Sequence, residues 1–204
     1  MFALLTGLLW FGLGPAAAER ASPKARVQTA VNAVVDVLRQ SEGTRDERWA
    51  RISRIIQAHF DFDGMSKRVL ATEWRRATPE ERKQFSDYFS QYLETTFRSQ
   101  IEAYDDHRIE YVSERIKGDR ATVESTVVSG KVRTPVTYKL RRTRDGAKPG
   151  EWLAYDVVIE GVSLVANYRN TFAAIIKSEG MDGVIADVQR RIAKHRRAAA
   201  RGAQ

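Results

Sequence analysis

Two patterns of apolar residues divide the chain into three parts. From about residue 23 to residue 101, and again after Gly161, apolar positions recur three or four residues apart, as in amphipathic helices. Between His107 and residue 160 they fall on alternate positions, which is typical of strands with one buried face. The pattern predicts one α+β domain in which N-terminal helices precede a twisted sheet and C-terminal helices follow it.

The helices before the sheet are predicted from their apolar spacing and their capping residues. Residues 23–58 form two amphipathic helices that are broken near Ser41 to Thr44. A third helix opens at Thr78-Pro79-Glu80-Glu81, a capping box with proline at the first helical position. Its apolar stripe is mostly aromatic and consists of Phe85, Tyr88, Phe89, Tyr92, Leu93, Phe97 and Ile101.

Four strands with short connections are predicted for the middle of the chain, which favours a mainly antiparallel meander. Lys117-Gly118-Asp119, Ser129-Gly130 and Asp145-Gly146 supply the turns. The alternating apolar positions are Ile109 and Tyr111, then Ala121, Val123 and Val127, then Val136, Tyr138 and Leu140, then Leu153, Tyr155, Val157 and Ile159. A helix then runs to Gly180, and a last helix from Asp182 enters a basic tail.

The first eighteen residues have the pattern of a cleaved secretory signal. Residues 2–13 are almost wholly apolar, and the small residues Ala16, Ala17 and Ala18 suit a signal peptidase. Because Glu19 follows at once, the run is too short for a typical spanning helix. An uncleaved anchor and a buried helix are the alternatives. Export predicts a protein that works outside the cytoplasm and whose partners do not include nucleic acid.

Composition excludes several kinds of functional site, and the charge is concentrated near the C-terminus. The 204 residues contain no cysteine, so disulfides, thiolate metal sites and cysteine nucleophiles are excluded. The net charge is +8, and six basic residues against Asp187 alone lie in the last eighteen positions. We expect a single domain over residues 19–197 and a flexible basic tail over 198–204. The basic segment from Asp187 onward either attracts anionic lipid headgroups or is a solvated and frayed C-terminus.

The residues offer little for catalysis or metal binding. His59, His107 and His195 stand apart at no metal-ligand spacing, so no metal site and no cofactor are predicted. Ser163 resembles the start of a nucleophile elbow but lacks its second glycine, and we interpret it as a helix cap. Asp61-Phe62-Asp63-Gly64 resembles half a calcium loop without the closing Glu, and Asp63 is interpreted as an N-cap. We predict no catalytic residue.

The aromatic helix and the apolar strand faces allow two interpretations. The simpler one is a filled core in which the helix packs on the sheet. The other is that helix and sheet enclose an apolar cavity for a lipid.

Three stretches of the chain resemble the MlaC family of periplasmic phospholipid-binding proteins, also called toluene-tolerance proteins. They are FDFDGMSKRVLATEWRRATPEERKQFSDYF from Phe60, EWLAYDVVIEGVSLVANYRNTF from Glu151 and GMDGVIADV from Gly180. The resemblance implies a carrier without catalysis that moves phospholipid between an outer-membrane lipoprotein complex and an inner-membrane ABC transporter with MCE domains. The chain differs at Ala71, where the family usually has glycine, and in its long Arg-rich tail.

The sequence leaves alternatives open for both the bound lipid and the class of function. A related branch of the family is associated with hopanoid genes, so a polycyclic lipid is the alternative cargo. An exported enzyme and a protein-binding adaptor without lipid are the alternative functions.

We expect the lipid to contact residues of the third helix, the strands and the helix after Gly161. At the junction between the last strand and that helix we expect Gly161 to allow a sharp turn, Val162 and Leu164 to return to the core, and Asp156 to pair with Arg169. The predicted lipid-binding residues are Phe89, Tyr92, Leu93, Phe97, Val123, Val127, Val136, Tyr138, Val157, Ile159, Val165, Tyr168 and Phe172. About half of them are expected to line the cavity, the others forming ordinary core.

Overall fold

The computed structural model describes residues 21–40, 42–104, 108–144 and 149–201. The predicted signal peptide, residues 1–18, lies outside the described residues. The helices are α1 (Pro23–Arg39), α2 (Arg45–His59), α3 (Phe62–Leu70), α4 (Glu73–Arg76), α5 (Pro79–Glu102) and α6 (Leu164–Arg201). The strands are β1 (Arg108–Lys117), β2 (Arg120–Ser129), β3 (Val132–Arg142), β4 (Trp152–Ile159) and β5 (Val162–Ser163). The predicted α+β class is confirmed, with a short fifth strand added.

The helix boundaries follow from local capping chemistry. The break predicted between the first two helices is present, and Thr44 and Glu47 form a capping box that starts α2. At the start of α5 the hydroxyl of Thr78 accepts a hydrogen bond from the Glu81 N–H, and the Glu81 carboxylate accepts one from the Thr78 N–H. The capping box predicted there is confirmed.

The N-cap of α3 differs from the prediction by two residues. Asp61, not Asp63, is the cap, because the Oδ1 atom of Asp61 accepts a hydrogen bond from the Gly64 N–H at 2.9 Å. The backbone N–H of Asp61 also donates to the carbonyl of Ala154, which ties the start of α3 to β4. Asp63 lies inside the first turn of the helix, where a negative charge is favourable without being the cap.

The sheet is antiparallel, and its strands lie side by side in chain order. Glycines 118 and 130 have positive φ in the first two turns, as predicted. A register shift between Lys139 and Leu140 places Leu140 opposite Ala154 and Tyr138 opposite Val157. The strict alternation predicted for β4 is therefore wrong: Ala154 and Val157 line the cavity, whereas Leu153 and Tyr155 do not.

The junction between β4 and α6 corrects two further predictions. Gly161 makes the turn with φ 83°, a left-handed conformation that favours glycine. Val162 does not return to the core, since it is 57% exposed, whereas Leu164 is partly buried. Asp156 does not pair with Arg169, whose Nε donates instead to the carbonyl of Arg68.

The carboxylate of Asp156 organises this junction from a nearly buried position. Its Oδ1 accepts a hydrogen bond from the Val165 N–H at 3.1 Å, and its Oδ2 accepts from the Ser163 hydroxyl at 2.8 Å and from Lys139 Nζ at 3.0 Å. Ser163 in turn accepts from the Ala166 N–H, so the predicted capping role of Ser163 is confirmed.

Two apolar clusters stabilise the chain. The larger one, which we call the helical cluster, lies among α3, α5 and α6 and contains the aromatic rings of Phe85, Phe89 and Phe172. The smaller one joins the start of α1 to the inner face of the sheet through Val27, Val123 and others. Helix α6 bends at Gly180, where φ is 64°, and continues to Arg201. No helix in the described ranges is long and apolar enough to cross a membrane.

Candidate functional site

A partly open apolar cavity of about 430 Å³ lies between the helices and the inner face of the sheet. One wall is helix α1, which contributes Val27, Ala30, Val31, Val34, Val35 and Leu38. The opposite wall is the sheet, which contributes Ile109, Val127, Val136, Tyr138, Leu140, Ala154, Val157 and Ile159. The remaining sides come from the end of α2, the start of α3 and the C-terminal half of α5. A volume of this size is in the range of small-molecule sites, roughly 300–1,000 Å³.

The exposure of the lining residues indicates which end of the cavity is open. Met65, Leu140 and Ala154 are buried and form the floor, Met65 as part of the helical cluster and the other two as part of the smaller cluster. Gln100 is exposed, and Leu38 and Tyr104 are partly exposed, so the mouth lies between the ends of α1 and α5. Helix α1 packs on α2 and on the first two strands, and residues from most of its length line the cavity.

The charged groups in the cavity wall are already paired within the protein. Arg26 forms a salt bridge with Glu151 at 2.9 Å and donates to the carbonyl of Ala58 at 3.0 Å. Glu94 accepts hydrogen bonds from the Ser53 hydroxyl and from Gln57 Nε2, both at 2.6 Å. Most of the polar atoms of these two residues are bonded within the protein, although the buried Nε atom of Arg26 has no hydrogen-bond partner among the described residues. The surface facing the cavity is almost wholly hydrocarbon.

Two tyrosines on the inner face of the sheet lie in a desolvated environment. Burial raises the pKa of Tyr138 to about 12, although its contact with Ser125 acts in the opposite direction. Burial also raises the pKa of Tyr111, with added effects from Tyr138 and Tyr104. Both phenols are neutral at physiological pH, and Tyr138, the one of the two that lines the cavity, presents no charge to it.

Seven of the thirteen predicted lipid-binding residues line the cavity, and six lie elsewhere. The lining residues are Leu93, Phe97, Val127, Val136, Tyr138, Val157 and Ile159. Phe89, Tyr92, Val165, Tyr168 and Phe172 belong to the helical cluster, and Val123 to the smaller cluster.

The aromatic residues lie away from the cavity because α5 packs on α6 along this stripe. The ring centroids of Phe89 and Tyr168 are 5.4 Å apart, and those of Tyr92 and Tyr168 are 5.5 Å apart, both in edge-to-face geometry.

The sequence analysis missed helix α1 as a cavity wall. Its apolar stripe was recognised as helical, but a helical stripe does not reveal which neighbour it faces. A usable signal was present, because Val31, Val34 and Val35 widen the stripe while Asn32 and Asp36 keep the opposite side polar. Three further lining residues, Phe60, Phe62 and Met65, were also missed as cavity residues, although they stand in the first family-like stretch.

The candidate catalytic groups are engaged in structural contacts. Ser163 donates to Asp156 and caps α6, the Nδ1 atom of His59 lies 2.9 Å from the carbonyl of Ile55, and the ring of His195 lies against Tyr92. His107 lies outside the described residues. In the part of the chain that the structure covers, no three His, Asp or Glu side chains are grouped as metal ligands.

Comparisons with known proteins identify the family of this chain. The family model described as "MlaC protein" matches residues 28–190. The intermembrane phospholipid transport system binding protein MlaC of Haemophilus influenzae is 23% identical over 92% of this chain and 91% of its own length. A toluene tolerance protein of Pseudomonas putida is 28% identical over 64% of this chain and 60% of its own length.

A solved structure supports the fold. The phospholipid-binding protein of Ralstonia solanacearum, determined in complex with a phospholipid, superimposes with a TM-score of 0.76 at 24% identity. The match covers 86% of this chain and 99% of the other.

Proposed function

Because this chain belongs to the MlaC family, we propose that it is a lipid carrier that holds the acyl chains of a phospholipid in the cavity between α1 and the sheet. The observation that carries the proposal is the apolar lining of a space of about 430 Å³ that opens to solvent at one end. A filled core, the simpler interpretation of the sequence, would leave no such space. A solved relative that binds phospholipid supports the same cargo.

The energetics explain why a carrier needs such a cavity. Moving one methylene from hydrocarbon to water costs about 0.8 kcal/mol, so a two-chain lipid with about thirty methylenes loses on the order of 20 kcal/mol in water. Walls of valine, isoleucine and leucine remove this cost during transit because they replace the bilayer interior. The protein itself needs no catalytic group for this task.

The headgroup is proposed to remain at the mouth, between the ends of α1 and α5. A charged headgroup is expensive to bury without partners. The charged residues in the wall, Arg26 and Glu94, already have partners within the protein. The floor near Met65 offers only apolar contacts, which suit the ends of acyl chains.

The place of this carrier is proposed to be the periplasm, between an outer-membrane lipoprotein complex and an inner-membrane ABC transporter. The relative in Haemophilus influenzae is named as the binding protein of an intermembrane phospholipid transport system, which supports a shuttle over a storage protein. Energy for directional transport would come from the transporter, since the carrier offers no nucleotide-binding motif.

Mass spectrometry of lipid extracted from the intact purified protein tests the proposal. We expect a near-stoichiometric amount of phospholipid. A polycyclic lipid in its place would assign the cargo to the hopanoid alternative, and repeated recovery of lipid-free protein would contradict the carrier function in favour of an adaptor.

A pair of variants on the same helix connects the lipid to the cavity. Ala30→Phe places a ring in the cavity and is expected to reduce bound lipid severalfold, whereas Asn32→Phe adds the same ring on the exposed side of α1. Circular dichroism and urea unfolding establish that both variants fold. Equal lipid content in the two folded variants would place the lipid somewhere else.

A further inference from the structure

The last turns of α6 present a row of basic residues on one side of the helix. Arg190, Lys194, Arg197 and Arg201 follow one another at intervals of four, three and four residues, and all four are exposed. At 3.6 residues per turn this spacing keeps them on one face. We call these four residues the basic row.

The opposite face of the same segment is fixed to the body of the protein. Val188 and Ile192 are buried in the helical cluster. The ring of His195 lies 5.8 Å from that of Tyr92, and Arg196 Nη2 donates to Gln91 Oε1 at 3.2 Å. These contacts hold the helix as far as Arg196, in its second-last turn, and the helix continues to Arg201, so the basic row is displayed on a helix that is fixed to the body of the protein.

Most of the charge in the basic row is not neutralised within the protein. Arg190 and the neighbouring Arg191 both contact the carboxylate of Asp187, at 3.2 and 2.5 Å. Lys194, Arg197 and Arg201 form no salt bridge with any other described residue. From residue 190 to residue 201 the chain contains no acidic side chain. Three adjacent positive charges therefore face solvent.

We propose that the basic row is a docking surface for an anionic lipid bilayer. From Lys194 to Arg201 the row extends about 10 Å at a rise of about 1.5 Å per residue. The electrostatic attraction between each basic residue and an anionic membrane surface decreases with distance and is largely screened beyond one Debye length. The docking would be reversible, because the positions around the row, Ala193, Ala198 and Ala199, offer nothing large enough to insert among acyl chains.

The same composition argues against an acidic protein as the occupant. Protein interfaces are anchored by tryptophan, tyrosine and arginine side chains that are buried in well-packed pockets at the centre of the contact. The basic row contains arginine but no aromatic residue, and its neighbours Ala193, Ala198 and Ala199 are too small to form the packed surroundings of such an anchor. Evenly spaced charges on long flexible side chains instead suit a surface of many mobile anionic headgroups. This inference goes beyond the proposed carrier function and is tested without reference to cargo.

Flotation of the purified protein with vesicles tests the docking surface. The vesicles contain equal parts phosphatidylglycerol and phosphatidylcholine, and pure phosphatidylcholine vesicles serve as the uncharged control. We expect binding to the anionic vesicles at about 0.01 M salt, where the Debye length is roughly 30 Å, and its loss at about 1 M salt, where it is roughly 3 Å.

A charge-matched pair of triple variants assigns the binding to the basic row. Lys194→Gln, Arg197→Gln and Arg201→Gln together are expected to lower the vesicle partition coefficient on the order of 100-fold at low salt. The control replaces Arg115, Lys117 and Lys131, which are exposed on the sheet and its turn, by glutamine. It removes the same charge and is expected to leave most of the binding intact.

Two results would overturn the proposal. Equal loss of binding in both triple variants would mean that net charge, and not the basic row, attracts the vesicles. No binding of the unsubstituted protein to anionic vesicles at low salt would reject the bilayer and leave an acidic protein as the occupant. The lipid content of each preparation is measured in parallel, so failed docking is distinguished from failed cargo binding.

Discussion

Asp61 and Gly64 are packed so closely at the start of α3 that no side chain fits between them. The carboxylate of Asp61 accepts a hydrogen bond from the Gly64 N–H and forms a salt bridge with Arg141 of β3. A Cβ atom on residue 64 would overlap the Asp61 carboxylate. The pair joins the floor of the cavity to the sheet, because Met65 follows directly in α3.

We expect Gly64→Ala to lower the free energy of unfolding by about 2–3 kcal/mol, since the displaced carboxylate loses its capping bond and its arginine partner. Urea unfolding measures this change. In an Asp61→Ala background the same substitution should cost little or should stabilise, because alanine is the better helix former. A full penalty in that background would mean that another contact excludes the side chain.

Ala71 offers the reverse case, a residue that glycine should improve. It follows α3 with φ 51° and ψ −114°, a conformation that is strained for a residue with a Cβ atom. Its side chain is exposed, so its removal loses no packing. We expect Ala71→Gly to raise the free energy of unfolding by about 1 kcal/mol. Gly161→Ala, at φ 83°, should change the stability in the opposite direction in the same assay.

Acid should weaken the contact between α2 and α5. Burial alone would raise the pKa of Glu102, but hydrogen bonds from Arg45 and Arg98 outweigh it and hold the pKa below its usual value. The unfolded chain then binds this proton more readily, so the stabilisation is complete above about pH 4.5 and is lost as the pH falls further.

Two single substitutions test the contribution of Glu102 against that of Asp46, the other carboxylate that pairs with Arg98. Glu102→Gln should cost about 1–2 kcal/mol at neutral pH, because the Glu102 side chain is only 14% exposed, and should flatten the acid dependence. Asp46→Asn should cost less, since Asp46 is 88% exposed although it also pairs with Arg98. Urea midpoints measured from neutral pH to about pH 3 give both results. An unchanged acid slope in Glu102→Gln would assign the acid sensitivity to other carboxylates.

Two hydroxyl groups on the inner face of the sheet should respond differently to removal. The Tyr111 hydroxyl is buried without a hydrogen-bond partner among the described residues, whereas the Tyr138 hydroxyl interacts with the side chain of Ser125, which lowers the pKa of Tyr138 against the effect of burial. Tyr111→Phe is therefore expected to be neutral or to stabilise by up to about 1 kcal/mol, and Tyr138→Phe to destabilise by about 1 kcal/mol. Thermal unfolding of the two variants is the measurement, and a larger loss in Tyr111→Phe would contradict this assignment.

The structural features that depend on local chemistry could be predicted from the sequence. The capping box at Thr78, the break before Thr44 and the left-handed turn at Gly161 each follow from a few neighbouring residues. The register shift after Lys139 does not, because it depends on how two strands meet. For that reason the inward face of β4 was assigned incorrectly at Leu153 and Tyr155.

The cavity could be predicted as a kind of site but only partly as a set of residues. The apolar stripe on α5 contacts both α6 and the cavity. Phe85 and Phe89 pack on α6, while Leu93 and Phe97 line the cavity. Periodicity identifies such a stripe without dividing it between neighbours. The division is set by the crossing of α5 and α6, which no local pattern encodes.

The order of the strands has a consequence for how the chain folds. Every strand pairs with the next one along the chain, so the sheet has low contact order and we expect it to form quickly from successive hairpins. Helix α1 instead joins β1 across a separation of 90 residues, where the Lys24 N–H donates to Glu114. We expect this long-range contact to form after the hairpins. Until it forms, the apolar face of the sheet is exposed to solvent, and we expect the chain to be prone to aggregation at this stage of folding.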